Sequence, residues 1–331
     1  MTVAWLFPGQ GAQAVGMARD VLEASPAARA IFERADAALG PLGGSPGAGS
    51  LSKLVLEGPA EELTLTANAQ PAIVATSCAI LAAIRELVPD LPDPVLAAGH
   101  SLGEYSALVA AGAFSLEDAV RLVRIRGQAM QEAVPAGTGT MSAIISVEPE
   151  ALAELCARAA QGEVVAPANF NAPGQIVVAG HTAAVARLAE LVVAAKGRAL
   201  PVKVSAPFHC ALMAPAARTL EAELARTPPG APRFPVVANF DARPNTDAAR
   251  ARELLVQQVE GAVRWEESMR FLAAQGVTHA IEIGPGKVLA GMLKRIAKDI
   301  AVLSVSDAAT VAQVPAFLAQ AAEQATNQAT S

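Results

Sequence analysis

Aromatic residues make up only 4% of the 331-residue chain, with a single tyrosine, two tryptophans, three cysteines and four histidines. The cysteines, Cys78, Cys156 and Cys210, are odd in number and widely scattered. Such a set builds neither a disulfide framework nor a zinc ligand cluster, and it fits a reducing compartment. Basic runs are missing too. With a formal charge of −6 and no interleaving of cations with aromatics, a nucleic-acid binder is excluded. The opening MTVAWLFPGQ lacks the basic region, apolar stretch and small-residue cleavage site of a signal peptide, so a cytoplasmic protein is expected. The longest uncharged stretches, 63–84 and 164–186, are interrupted by Asn, Gln, Pro or Gly. They read as core elements and turns, not membrane spans.

What is abundant is Ala, Val and Leu, in a chain that is 53% apolar. That composition suits helices packed on a buried parallel sheet, an α/β fold. Its centre is Gly99-His100-Ser101-Leu102-Gly103, a G-x-S-x-G between a strand-like run at 95–98 and a helix-like run at 104–114. A serine on a sharp strand-to-helix turn needs neighbours without a Cβ if its Oγ is to be exposed as a nucleophile.

Upstream, 3–7 reads as a buried strand stopped by Pro8-Gly9-Gln10-Gly11-Ala12-Gln13. This loop has uncovered N–H groups suited to an anion, and it matches neither a Walker loop nor a dinucleotide-binding turn. Residues 13–40 have a helical pattern, and 41–50 a flexible-loop composition. Asn68 and Gln70 stand at the entrance of an apolar helix at 72–84. Ser115 to Asp118 is a capping signature for a helix reaching about 133. On that helix Arg126 lies three or four residues from Leu122, Val123 and Met130, which sets its stem on an apolar face. Either it pairs with a carboxylate or it waits for an anionic ligand.

From 134 the order becomes strand (141–147), helix, strand (164–168), strand (175–179), helix and strand (199–204). That is the order of a small ferredoxin-like unit, inserted in the larger domain. The segment 169–174 reads as a tight turn whose amides can face a cleft. Among the four histidines, His209 is the best base by elimination. His100 adjoins the nucleophile but must point away, His181 starts a helix, and His279 lies in the strand-like run 277–283. A hydrogen-bonded loop histidine is the competing reading. No acidic residue offers itself behind His209, so a backbone carbonyl or an amide is left to orient it. The chain closes with a strand at 236–240, an amphipathic stretch at 252–276, the Gly284-Pro285-Gly286-Lys287 turn and a polar tail from about 323.

Taken together, FPGQGAQ at 7–13, GHSLGEYSALVAAG at 99–112, Arg126-Gly127 with 130–135, NFNAPGQIVVAGH at 169–181, PFHCALM at 207–213 and EIGPGKVL at 282–289 resemble malonyl-CoA:acyl carrier protein transacylases. The likeness spans almost the whole chain. It implies an α/β-hydrolase-like large domain (1–134 and 205–320) and an inserted ferredoxin-like domain (135–204), while the polar composition of the tail (321–331) predicts fraying. It also implies an acyltransferase without a cofactor, a monomer acting on malonyl-CoA and holo acyl carrier protein, with no nucleic-acid or membrane partner. By the same resemblance Ser101 is the nucleophile and His209 its base. Gln10 and Leu102 supply backbone N–H groups to the oxyanion, and the Gln258 main-chain carbonyl orients His209. Arg126 clamps the malonyl carboxylate, with Met130, Gln70, Asn169 and Phe208 around the acyl group. Lys287, Lys294, Arg295 and Lys298 are expected to form one basic helix face that meets an acidic carrier protein. Ala12 and Phe208 stand where many relatives carry serine. A serine thioesterase or esterase of α/β-hydrolase type is the alternative, differing in its second acceptor.

Overall fold

The computed structural model describes residues 2–42, 49–204 and 206–329. The middle of the 41–50 loop and the domain boundary at Ser205 lie outside the described residues.

Strand β1 (Val3–Phe7) is five consecutive apolar residues, all buried. A strand covered by helices on both faces has this pattern. It pairs in parallel with β2 (Leu96–Gly99). The small antiparallel sheet follows in sequence with β3 (Gly139–Ile145), β4 (Val165–Ala172), β5 (Gln175–His181) and β6 (Arg198–Val202). The chain then returns to the first sheet with β7 (Val236–Val237), β8 (Pro244–Asn245), β9 (His279–Ile283) and β10 (Ala301–Val305). The large sheet has the order β10-β9-β1-β2-β7-β8, parallel except for the last pair. The small one has the order β4-β5-β3-β6, antiparallel throughout. With helices Pro149–Ala160 and Thr182–Ala194 between its strands, it is the ferredoxin-like unit inserted in an α/β-hydrolase-like fold.

The apolar helix Thr66–Leu87 is long enough to cross a membrane, but 94% of its most apolar window is buried inside the protein. It is a core helix. Asn68 and Gln70 lie within its first turns, not ahead of it.

Three sequence-based expectations are corrected. The stretch 252–276 is two helices, Ala248–Glu260 and Trp265–Ala274. The break lets the Val263 N–H donate to Ala168 O and its carbonyl accept from Phe170 N, each at 2.9 Å, so that the linker pairs with β4. For the same reason Asn169, Phe170, Asn171 and Ala172 belong to β4, an irregular strand with register shifts, and only Pro173-Gly174 forms the turn. The C-terminal stretch, expected to fray from 321, is helical as far as Ala329. Helix Val314–Ala329 presents Val314, Phe317, Leu318 and Ala321 to the main core at helical spacing, and packing, not composition, decides.

Candidate active site

The nucleophile turn is built by close backbone contact. A Cβ on Gly99 would lie 1.9 Å from Gly103 C, and one on Gly103 would lie 2.1 Å from Phe7 O. Only glycine allows the end of β1, the end of β2 and helix Gly103–Ala110 to meet so closely. Ser101 itself is held at φ 48°, a left-handed conformation that a non-glycine residue keeps only when its surroundings enforce it. Here Asn239, just beyond β7, provides the enforcement. Its Oδ1 accepts from Ser101 N at 2.5 Å and its Nδ2 donates to Gly99 O at 2.7 Å.

Ser101 Oγ stands 2.8 Å from His209 Nε2, and His209 Nδ1 stands 2.8 Å from the carbonyl oxygen of Gln258. A carbonyl only accepts, so the proton sits on Nδ1 and the Nε2 lone pair faces the hydroxyl. Burial, and then the nearby Arg126 charge, push the His209 pKa down to about 3. The imidazole is therefore neutral across the physiological range and free to take a proton. Among the described residues no acid stands behind it; the Gln258 carbonyl fills that place. His100 is turned away: its Nε2 meets Asn171 Oδ1 at 2.8 Å and its ring lies 5.5 Å from that of Trp265.

Arg126 is buried in helix Leu116–Glu132. Gly127 lets this helix approach the start of Thr66–Leu87, where a Cβ would lie 2.7 Å from Thr66 O. Arg126 Nη1 donates to Gln70 Oε1 at 2.7 Å, while Nη2 donates to Gln258 Oε1 at 2.9 Å and to Ser101 Oγ at 3.0 Å. Its Nε has no partner among the described residues. Beneath it, 5.6 Å away, lies the Tyr105 ring. A guanidinium held in this way, with donors unspent and no carboxylate in direct contact among the described residues, has the chemistry to hold an anion beside the serine hydroxyl.

These groups open on a cleft of about 550 Å³. Gln10, Met130, Asn169 and Phe208 line it together with Ser101, His209 and Arg126. Gln70 does not line it; this residue holds Arg126 from behind. The Gln10 side chain is tied back to Thr66 Oγ1 at 2.9 Å. The backbone N–H groups of Gln10 and Leu102 donate to no acceptor among the described residues, as an oxyanion site requires.

The expected basic helix face is corrected. Helix Val288–Ile296 ends before Lys298, and Arg295 donates to Pro173 O at 2.7 Å and Gln175 Oε1 at 2.5 Å. Both acceptors are neutral and leave its charge in place, and Arg295 is exposed like Lys287, Lys294 and Lys298.

Sequence reasoning missed Asn239 and Glu104. Asn239 carries no motif signal. Glu104, though, is a carboxylate inside the nucleophile motif at the head of an otherwise apolar helix, and that was visible.

A buried serine–histidine pair beside an arginine, with unspent N–H groups around it, is the arrangement of a serine enzyme of acyl transfer. The acyl transferase domain model matches residues 4–329. The malonyl CoA-acyl carrier protein transacylase of Salmonella typhimurium is 48% identical over 309 residues, covering 93% of this chain and 97% of that one. An acyl carrier protein S-malonyltransferase from Vibrio cholerae superposes with a TM-score of 0.90 at 47% identity, covering 95% and 100% of the two chains. A malonyl-transacylase solved with its type II polyketide-synthase holo acyl-carrier protein gives a TM-score of 0.88 at 44% identity, covering 95% and 98%. The chain belongs to the malonyl-CoA:acyl carrier protein transacylase family.

Proposed function

We propose that this enzyme transfers a malonyl group from malonyl-CoA, through an ester on Ser101, to the pantetheine thiol of holo acyl carrier protein for fatty-acid or polyketide chain extension. The observation that carries this reading is the buried Arg126 guanidinium 3.0 Å from Ser101 Oγ, since it makes a carboxylated acyl group the one that fits. His209 Nε2 takes the Ser101 proton as Oγ attacks the thioester carbon, and the N–H groups of Gln10 and Leu102 hold the oxyanion. Each such donor is typically worth about 3 kcal/mol of barrier. The C–S bond then breaks, and the proton on His209 passes to the leaving sulfur of coenzyme A. In the second half His209 takes the proton of the pantetheine thiol, the sulfur attacks the ester, and Ser101 leaves with that proton. The reading calls for no cofactor, and every group it uses comes from one chain. A cytoplasmic setting agrees with the three buried free cysteines. Burial pushes the Cys78 thiol up to about 12 and those of Cys156 and Cys210 to about 11, so none is a competing nucleophile at neutral pH.

The test is intact mass after incubation with malonyl-CoA, with and without holo carrier protein. One malonyl group on the enzyme that disappears when the carrier is added is the expected result, whereas hydrolysis without transfer would favour a thioesterase. His209→Ala is expected to slow acylation by about 10² to 10⁴; a loss under about threefold would remove His209 from the mechanism. In the wild type, the acid limb of kcat/KM should fall well below pH 6.5, because the His209 pKa in the free enzyme is about 3. The sign for stability follows. A native pKa below the ordinary imidazole value of 6.5 means that the unfolded chain binds the extra proton. The stability contribution is therefore complete above about pH 6.5 and is lost as pH falls toward 3.

Malonyl-CoA and the carrier reach the site through the cleft, and the exposed Lys287, Lys294, Arg295 and Lys298 are the cations proposed to meet an acidic carrier. Lys294→Glu with Lys298→Glu should raise the apparent KM for holo carrier and flatten its salt dependence. Acylation of Ser101 from malonyl-CoA should stay near wild type. Equal slowing of both half-reactions, or of neither, would move the docking surface elsewhere.

A further inference from the structure

Glu104 is a fully buried carboxylate that the reaction does not use. It has no direct contact with Arg126 among the described salt bridges; the Gln258 carboxamide stands between them. Gln258 Nε2 donates to Glu104 Oε2 at 2.8 Å, and Gln258 Oε1 accepts from Arg126 Nη2. The same Oε2 accepts from Asn239 N at 2.9 Å. Asn239 and Gln258 also bond the Ser101 main chain, so Glu104 ties together both residues that hold the nucleophile.

Among the described residues, the other titratable groups around Glu104 leave it as the one local balance for Arg126. On its own helix, burial keeps Tyr105 protonated. His209, across the site, is neutral. Asp241, beyond β7, is paired with Arg250 and adds a negative charge that opposes ionisation of Glu104. An empty cleft therefore holds one buried cation and one carboxylate. A bound malonyl group brings a second carboxylate to the same cation, and two carboxylates sharing one buried charge do not both stay ionised at little cost.

We propose that Glu104 is the counter-ion of Arg126 while the cleft is empty, and that it takes up one proton from solvent when a carboxylated acyl group pairs with that arginine. Glu104 is thus a positioning residue that exchanges its charge for the substrate's and keeps the buried site electrically balanced through the cycle. The inference rests on the reading of Arg126 as the carboxylate clamp. Burial already raises Glu104 to about 7 in the empty site, within reach of a proton at physiological pH. Affinity for malonyl-CoA should then weaken as pH rises above about 7, by up to about tenfold per unit for one linked proton. Acetyl-CoA, with no carboxylate, should show no such dependence.

The experiment is calorimetry of malonyl-CoA binding to the full-length Ser101→Ala protein, which binds without turning over, at pH 8 in buffers of different ionisation enthalpy. The expected result is uptake approaching one proton with malonyl-CoA and none with acetyl-CoA. Adding Glu104→Gln should abolish the uptake and flatten the pH dependence, because glutamine can keep both hydrogen bonds with its amide oxygen but cannot titrate. A residue with only a structural role would not move the proton count. If the double variant fails to fold, infrared difference spectra of the single variant report the same event as a new protonated-carboxyl band on malonyl-CoA binding. Uptake that survives Glu104→Gln, or no uptake and no band in the parent, overturns the proposal. If Arg126→Ala leaves the preference for malonyl-CoA over acetyl-CoA intact, it is the clamp reading that has failed instead.

Discussion

Ser101→Ala should take no malonyl label and lose transfer by on the order of 10⁶, the scale seen when a covalent nucleophile is deleted. The fold should survive. Ser101 sits at the cleft wall, and its main-chain N–H and carbonyl remain held by Asn239 and Gln258. Arg126 keeps its bonds to Gln70 and Gln258. A change in stability of no more than about 1 kcal/mol is expected, in line with substitutions that open no core cavity. Intact mass and thermal unfolding read the two effects separately. A malonyl group still found at residue 101 of the variant, or at another residue of the wild type, would overturn the assignment.

For Arg126→Ala the expected result is a change of selectivity. Deleting one partner of a buried, charge-assisted pair typically costs 2–5 kcal/mol, so kcat/KM for malonyl-CoA should fall by about 30- to 5,000-fold. Acetyl transfer should suffer much less, since an acetyl group offers nothing for the guanidinium to hold. The variant also leaves the Gln70 and Gln258 amide oxygens without their donor, which is why the ratio of the two substrates, rather than the malonyl rate alone, is the decisive number. Equal losses for both would make Arg126 a structural residue. The proximity of Arg126 is also one reason that His209 stays deprotonated. The acid limb of acetyl transfer should accordingly move upward in pH in the variant, which separates the electrostatic role of the arginine from its contact with the carboxylate.

Much of this protein is written locally. The run Val3–Phe7 is a strand wherever five apolar residues meet a Pro-Gly stop, and Ser115 caps the helix that carries Arg126 by accepting from Asp118 N. The βαββαβ order of the small unit, the spacing of G-x-S-x-G, and the scarcity of histidine that singles out His209 are likewise properties of the chain taken in order. Short-range sterics and hydrophobic period decide such features, so they can be read without knowing what lies opposite. Local pattern misled where a long-range partner intervenes. Residues 169–172 have turn composition, yet they extend because Val263, more than ninety positions away, supplies the bonds of a neighbouring strand. The polar C-terminal stretch is helical because Val314 to Ala321 bury one face.

What the tertiary structure alone decided is the wiring between the motifs. Gln258 serves His209 with its main-chain oxygen, Arg126 with its amide oxygen and Glu104 with its amide nitrogen; no spacing in the sequence announces that. Asn239 braces the nucleophile from 138 residues away, and Arg295 of the basic cluster reaches across to the small domain's hairpin. Arg126 could be read as a cation on an apolar face, but whether it met a carboxylate or stayed unpaired depended on which residues the fold brought within hydrogen-bond reach. The same is true of the charge on Glu104, because the cost of ionising a carboxylate is set by the solvent it loses and the partners it gains, and both are fixed only when the chain closes around it.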